Sequence, residues 1–304
     1  MIYSPINNTD LKVSVICLGT WVFGGDSWGG SNEKDCANAV SCAADFGINF
    51  IDTAPIYGWG KSEAIVGKAT KGKRKRFVIA TKCGFVNRFG KATNNLTPAS
   101  IKKEVEKSLR HLQTDYIDLY QCHWPDAKTP IEATMQTMNQ LKKEGKIRYI
   151  GVSNFEPDLV SRACPIAEVV TSQNGYSMLD RSIEKKLLPL LQQRSIGLLA
   201  YGPLGGGILT GKYKSPPTLP SNDARKFFYE YYDGEAFERA QALLDTLKGI
   251  GKPLNQVAIN WVRQQPDVAS VIVGCRNAQQ VKDNVAAVLW DLSAQQLEGI
   301  NEKN

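Results

Sequence analysis

Asn49-Phe-Ile-Asp-Thr-Ala-Pro-Ile-Tyr-Gly-Trp-Gly-Lys-Ser-Glu63 is the stretch on which the reading of this chain turns. Residues 49–54 alternate apolar and small side chains as a buried strand does. Pro55, Gly58 and Gly60 then force a loop, and Ser62 is placed to cap the helix that follows. Asp52 lies inside the apolar run, where an unpaired carboxylate is expensive, so it calls for a cationic partner. Lys82, closing the next apolar run at residues 77–82, is the first good candidate, and Tyr57 emerges on the loop just beyond Asp52.

Outward from this stretch, the same unit repeats. Strands are predicted at residues 13–19, 50–53, 77–82, 116–122, 147–152, 169–172, 196–200 and 270–273. Helices follow them at 33–46, 62–69, 100–112, 130–144, 159–164, 183–193, 235–247 and 279–289, with one more at 254–263. Thr97-Pro98 is a good helix start, and Gly145 a helix stop. Short buried strands alternating with helices call for a parallel sheet, and eight of them favour closure into a (β/α)8 barrel of the TIM type. A doubly wound sheet is the rival. It is disfavoured because no Gly-x-Gly-x-x-Gly joins the first strand to its helix, and because the reactive residues follow several strands instead of one switch point. Residues 1–12, broken by Asn7-Asn8-Thr9-Asp10, are expected to form an N-terminal hairpin that plugs one end. Residues 205–233, after the seventh strand, form a long Gly- and Pro-rich, then aromatic loop suited to closing over a bound molecule. The whole chain, 1–304, is read as a single α/β barrel domain.

Bulk properties agree with a soluble protein. Of 304 residues, 42% are hydrophobic and 22% charged, no run approaches the length of a membrane span, and Met1-Ile-Tyr-Ser-Pro-Ile is not a signal peptide. Seven cysteines without a Cys-x-x-Cys pair indicate neither a disulfide framework nor a zinc module, and the expectation is a cytoplasmic protein with reduced, mostly buried thiols. The net charge of +7 raises a nucleic-acid partner, but only Lys71-Gly-Lys-Arg-Lys-Arg76 is a basic run, and there a solvated connection is the plainer reading. Neither nucleic acid nor membrane is expected as a partner. The diffuse positive field suits an anionic cofactor.

In such a barrel, polar residues at strand ends converge on one mouth however far apart they lie in sequence. Asp52, Tyr57, Lys82 and His123 are the four that stand out. A tyrosine is a poor proton donor near neutral pH unless its anion is stabilised, which the Lys82 ammonium would do while Asp52 holds it in place. His123 would donate a hydrogen bond to a substrate carbonyl. Taken singly, each has a structural explanation: an ion pair, a loop aromatic, a satisfied polar group. Together they point to chemistry. The other histidine, His111, is explained by the dipole at the end of the third helix.

The chain resembles the aldo-keto reductases over nearly its whole length. Leu18-Gly-Thr-Trp21, Asp52-Thr-Ala-Pro-Ile-Tyr-Gly58, Gly145-Lys-Ile-Arg-Tyr-Ile-Gly-Val-Ser-Asn154 and Gly207-Ile-Leu-Thr-Gly-Lys-Tyr213 match that family's signatures in order. Trp59-Gly-Lys-Ser-Glu63 looks most like its microbial and plant branch. The resemblance implies NADPH-dependent reduction of aldehydes or ketones, reversible and needing no metal, with Asp52, Tyr57, Lys82 and His123 as the catalytic set and Tyr57 as the general acid. It also implies that Ser153, Asn154 and Gln173 hold the nicotinamide carboxamide and Tyr201 stacks on the ring. Gly19, Thr20, Trp21 and Asp52 would flank that end of the cofactor. Gly202, Pro203, Leu204, Gly205 and Gly206, with Lys212, would take the pyrophosphate. Gly274, Arg276, Gln280 and Asn284 would hold the adenosine half, with Arg225 as a second contact. A guanidinium at Arg276 suits a 2′-phosphate, so NADPH is expected over NADH, although Cys275 departs from the residue usual at its position.

Trp21, Trp28, Tyr57, Trp59, Phe85, His123 and Trp124 are the candidates to wall a pocket for an aromatic or medium aliphatic carbonyl substrate. Two other classes are weighed against this. A cofactor-binding regulatory or redox-sensing subunit, resembling the potassium-channel beta subunits, would keep the same four residues; no partner-binding segment is evident. A metal-dependent barrel hydrolase is poorly served by two histidines and no His-x-His. A monomer is the first expectation for oligomeric state.

Overall fold

The computed structural model describes residues 1–25, 29–221 and 223–302. An antiparallel hairpin, β1 (Tyr3–Pro5) and β2 (Lys12–Ser14), precedes the barrel strands β3 (Ile16–Gly19), β4 (Phe50–Asp52) and β5 (Val78–Cys83). A second hairpin, β6 (Phe85–Arg88) and β7 (Lys91–Asn94), interrupts the alternation. The barrel resumes with β8 (Ile117–Cys122), β9 (Ile147–Ser153), β10 (Val169–Gly175), β11 (Gly197–Tyr201) and β12 (Val268–Gly274). All eight barrel strands are parallel, and β12 returns to β3, pairing Val271 with Ile16 and Gly274 with Gly19.

The principal helices between strands are α1 (Glu33–Asp45), α2 (Lys61–Thr70), α3 (Pro98–Leu112), α4 (Ile131–Lys143), α5 (Pro157–Ala163) and α6 (Leu187–Gln193). A one-turn helix α7 (Arg225–Phe228) lies in the long loop, followed by α8 (Gly234–Lys248), α9 (Leu254–Arg263), α10 (Ala278–Val285) and α11 (Ala294–Asn301). Thr97 caps α3 as expected, its hydroxyl accepting from Ser100 N.

The strand period of two separates two cores. Cys17, Phe50, Ala80, Leu119 and Leu199 point into the barrel and meet Ile6, Leu11 and Val13 of the N-terminal hairpin, which plugs that end. Their neighbours Ile16, Ile51, Ile79 and Tyr120 point outward under the helices. Continuing the inward parity carries Phe50 to Asp52, Ala80 to Lys82 and Leu119 to Gln121. A polar layer therefore lies directly above the apolar plug, at the C-terminal mouth. Each fully buried large apolar side chain stabilises the fold by about 1.5–3 kcal/mol, which helps offset the cost of burying that layer.

Several expectations change. The first strand is not one run from 13 to 19: Ser14 Oγ donates to Ile16 O (2.7 Å) and Ser14 N to Asn49 Oδ1 (2.7 Å), which breaks the ladder between hairpin and barrel. The β6–β7 hairpin was not predicted, because its strands are mostly exposed and polar; its signal is Phe89-Gly90, both with positive φ, as a tight hairpin turn needs. Helix α11 was also missed, although Ser293 and Gln296 form a capping box. Ser62 does not cap α2. Gly60 occupies that position at φ 102, while the Ser62 hydroxyl reaches Thr20 O (2.9 Å) and lies 2.9 Å from Thr53 Oγ1. In the basic run, Lys71, Lys73, Lys75 and Arg76 are exposed, but Arg74 is structural: it donates to Asp118 Oδ2 (2.6 Å) and lies 4.3 Å from the centre of the Tyr116 ring. The seven cysteines are free thiols, six of them buried. No helix among the described residues is long and apolar enough to cross a membrane.

Candidate active site

The polar layer is built on four adjacent or nearby strands. Lys82 Nζ, fully buried, donates to Asp52 Oδ2 (2.7 Å) and Thr53 O (2.9 Å) and lies 3.4 Å from Tyr57 Oη. Asp52 Oδ1 accepts from Gln173 Nε2 (2.8 Å) and Gln121 Nε2 (3.3 Å). Both carboxylate oxygens thus have hydrogen-bond partners, as a buried charge requires. Tyr57 projects from the loop after β4; its ring stacks on Trp21 at 5.8 Å and meets the His123 ring edge-on at 5.9 Å. Phe85, at the start of the second hairpin, packs edge-on against His123 at 5.1 Å. The sequence reading missed Gln121, yet its place two residues beyond the inward Leu119 would have revealed it.

The electrostatics differ from expectation in one respect. Burial, and then the Asp52 charge, push the Tyr57 hydroxyl well above the ordinary tyrosine range, so the nearby ammonium does not make it acidic at rest. Lys82 is already committed to Asp52 and Thr53. Burial, then the Lys82 charge, hold His123 well below the ordinary imidazole range, so it is a neutral ring. The site therefore offers a protonated phenol and a neutral imidazole side by side.

This layer forms the floor of a cavity of about 980 Å³. Ser153, Asn154, Tyr201, Gly202, Gly206, Lys212, Arg276, Gln280 and Asn284 line it together with Asp52, Tyr57 and His123. The model of the Aldo/keto reductase family matches residues 15–304. The chain belongs to the aldo/keto reductase family. Aldo-keto reductase YhdN of Bacillus subtilis (strain 168) is 39% identical over 99% of this chain and 93% of its own. NADH-specific methylglyoxal reductase of Escherichia coli (strain K12) is 37% identical, covering 95% and 94%. The solved structure of the glycerol dehydrogenase AKR11B4 from Gluconobacter oxydans superposes with a TM-score of 0.90 at 36% identity, covering 99% and 94%.

For an aldo/keto reductase, most residues singled out in the sequence fall on this one surface. Gly19, Thr20, Trp21, Gln173, Pro203, Leu204 and Gly274 line the cavity, as do Phe85 and Trp124. Asn154 takes a left-handed φ of 58°, its Nδ2 donating to His123 O (3.0 Å) and its Oδ1 accepting from Tyr201 Oη (2.9 Å). Ser153 and Asn154 do not cap α5, whose N-cap is Glu156.

Other expectations need correction. Trp28 lies outside the described residues. Trp59, 44% exposed, is not among the residues lining the cavity. Gly205 does not reach the cavity either: a side chain there would meet Leu179 at 3.1 Å and Ile208 at 3.2 Å, on the core side. Gly202 and Gly206 face Tyr229 and Tyr232 closely, and a Cβ at Gly206 would sit 2.5 Å from Tyr232 Oη, so these glycines make room for two tyrosines of the long loop. Cys275 is buried, accepts from Asn284 Nδ2 (3.3 Å), has its thiol pushed by burial up to about 12, and is not among the residues lining the cavity. His111 has a partner besides the helix end, its Nδ1 lying 3.1 Å from the buried Glu63 carboxylate. Phe228, not singled out from the sequence, packs edge-on against Trp21 at 5.2 Å.

Proposed function

We propose that the protein reduces aldehydes, and some ketones, to alcohols with NADPH, and that Tyr57 gives the carbonyl oxygen its proton. The observation that carries this reading is the protonated Tyr57 hydroxyl 3.4 Å from a Lys82 ammonium that Asp52 holds at 2.7 Å, beside His123 at the cavity floor. A bound nicotinamide cofactor would supply the hydride. Tyr57 and His123 orient the carbonyl by hydrogen bonds to its oxygen. As negative charge grows there, the Tyr57 O–H bond breaks towards it, and the Lys82 ammonium stabilises the phenolate left behind. Alcohol oxidation runs the same steps backwards with Tyr57 as base.

The donor set fits such a cofactor. Gln173 gives its Nε2 to Asp52, which leaves its Oε1 to accept from a carboxamide N–H. Ser153, Asn154 and the Tyr201 ring border the same end, and the cations Lys212 and Arg276 lie along the rest of the cavity, where a dinucleotide carries its phosphates. Arg276 favours a 2′-phosphate, making NADH the poorer cofactor. Trp21, Phe85, Trp124 and Phe228 make the substrate end aromatic, which suits aromatic and medium aliphatic aldehydes. Seven unpaired thiols suit a cytoplasmic setting.

Steady-state reduction of 4-nitrobenzaldehyde, followed by loss of nicotinamide absorbance with NADPH and with NADH, tests this for the native chain and for Tyr57→Phe. Turnover that collapses in the variant while NADPH still binds supports the reading. Tight NADPH binding without turnover across a panel of carbonyls would move the assignment to a regulatory cofactor-binding role.

A further inference from the structure

Two guanidiniums, Arg225 and Arg276, line the cavity assigned above to the cofactor. Asp223, 2% exposed, grips Arg225 in a fork: Nε donates to Oδ1 (2.8 Å) and Nη2 to Oδ2 (2.6 Å), while the Arg225 backbone N–H also donates to Oδ1 (3.0 Å). Nη1 donates to Tyr213 Oη (2.7 Å). The paired N–H edge with which an arginine grips a phosphate is therefore occupied by a carboxylate of the same chain.

We propose that Asp223 sets the cofactor preference of this protein by cancelling the charge of Arg225, so that Arg225 adds little attraction for a 2′-phosphate. This rests on reading the cavity as a nicotinamide dinucleotide site. The side-chain hydrogen bonds from Arg225, with its backbone N–H and the charges of Arg225 and Arg276, outweigh burial and hold the Asp223 carboxyl below the ordinary range, so it is ionised. Being almost wholly buried, that negative charge is poorly screened by water. At Arg225 an incoming 2′-phosphate meets a neutralised pair and the repulsion of the carboxylate within it. A 2′-hydroxyl meets the same groups without a charge penalty. The outcome is a narrower gap between NADPH and NADH than Arg225 without its countercharge would give.

Two substitutions should act in opposite directions. Asp223→Asn keeps an oxygen for Arg225 and removes the countercharge; Arg225→Gln removes the cation and leaves the carboxylate. Calorimetric titration of each full-length protein with 5′-AMP and with adenosine 2′,5′-bisphosphate reads the cavity without any turnover. The preference for the bisphosphate should rise about tenfold in Asp223→Asn and fall about tenfold in Arg225→Gln, with 5′-AMP affinity within about twofold of native, and both shifts should shrink with added salt. A ratio unmoved in both variants, or displaced in the same direction by both, overturns the proposal, the second being the mark of a disrupted loop. If the native protein turns over aldehydes with NADPH while the ratios fail to move, this inference alone falls; if the native protein binds neither nucleotide, the cofactor reading falls with it.

Discussion

Two buried ion pairs face the same cavity from different scaffolds. Lys82 and Asp52, 2.7 Å apart, sit on neighbouring strands 30 residues apart in sequence; Arg225 and Asp223, 2.6 Å apart, sit two residues apart in the long loop. The lengths nearly match, but the surroundings do not. The Lys82 side chain is wholly buried and its partner also takes hydrogen bonds from Gln121 and Gln173, whereas the Arg225 side chain keeps 12% of its surface exposed. The strand pair is held by several partners, as the proposed role of steadying a phenolate requires. The loop pair is local, with a guanidinium that lines the cavity, which places it where it can tune binding.

The largest effect that would test this contrast is at the hydroxyl beside the strand pair. Tyr57→Phe should lower kcat by about 10²–10⁴-fold with cofactor affinity unchanged, as read by steady-state kinetics and fluorescence titration. Next, Lys82→Met leaves the Asp52 carboxylate buried without its cation and should cost about 3–5 kcal/mol in urea unfolding. Arg225→Gln, at the edge of the cavity, should cost clearly less; equal losses would erase the distinction between the two scaffolds.

A smaller effect sharpens the loop side. Phe85 stands against His123 because the Glu104 carboxylate, buried and raised by desolvation to about 7, accepts from Gly84 N (3.0 Å) and Ser100 Oγ (2.9 Å). Its folded-state affinity for a proton exceeds that of the unfolded chain, so between about pH 4.5 and 7 the native state binds more protons and stability falls as pH rises. Glu104→Gln should flatten the pH dependence of the melting temperature across that window; an unchanged slope would remove Glu104 from the account. The smallest effect is at Trp59. Trp59→Ala should change stability by no more than about 0.5 kcal/mol and leave KM for aldehydes unaltered.

The same contrast explains what was legible in the sequence. A strand fixes which way a side chain points, so the inward parity of Phe50 carried over to Asp52, and Lys82 followed from the need to pair a buried carboxylate. Gln121 obeyed the same rule and was overlooked only because an amide announces itself less than a charge. Loops carry no such period. Trp59 and Phe228 are aromatic loop residues of similar exposure, and nothing local in the sequence says that Phe228 lines the cavity against Trp21 while Trp59 does not line it. The glycine run was read as bare backbone for a pyrophosphate, while its closeness to Tyr229 and Tyr232 depends on how the long loop folds back. The β6–β7 hairpin and α11 had readable turn and cap signals, but each is a side branch of the barrel period that organised the reading.

The central claim is that a protonated Tyr57, not His123, delivers the proton. Its most direct test is the single-turnover rate of aldehyde reduction across about pH 6 to pH 9, measured by rapid mixing in the Glu104→Gln background, so that a carboxylate raised to about 7 does not titrate in the window. With Tyr57 held well above the ordinary tyrosine range and His123 well below that of imidazole, the rate should be flat. A rate that falls between about pH 6 and pH 7 as an imidazolium loses its proton would make His123 the acid and contradict the account.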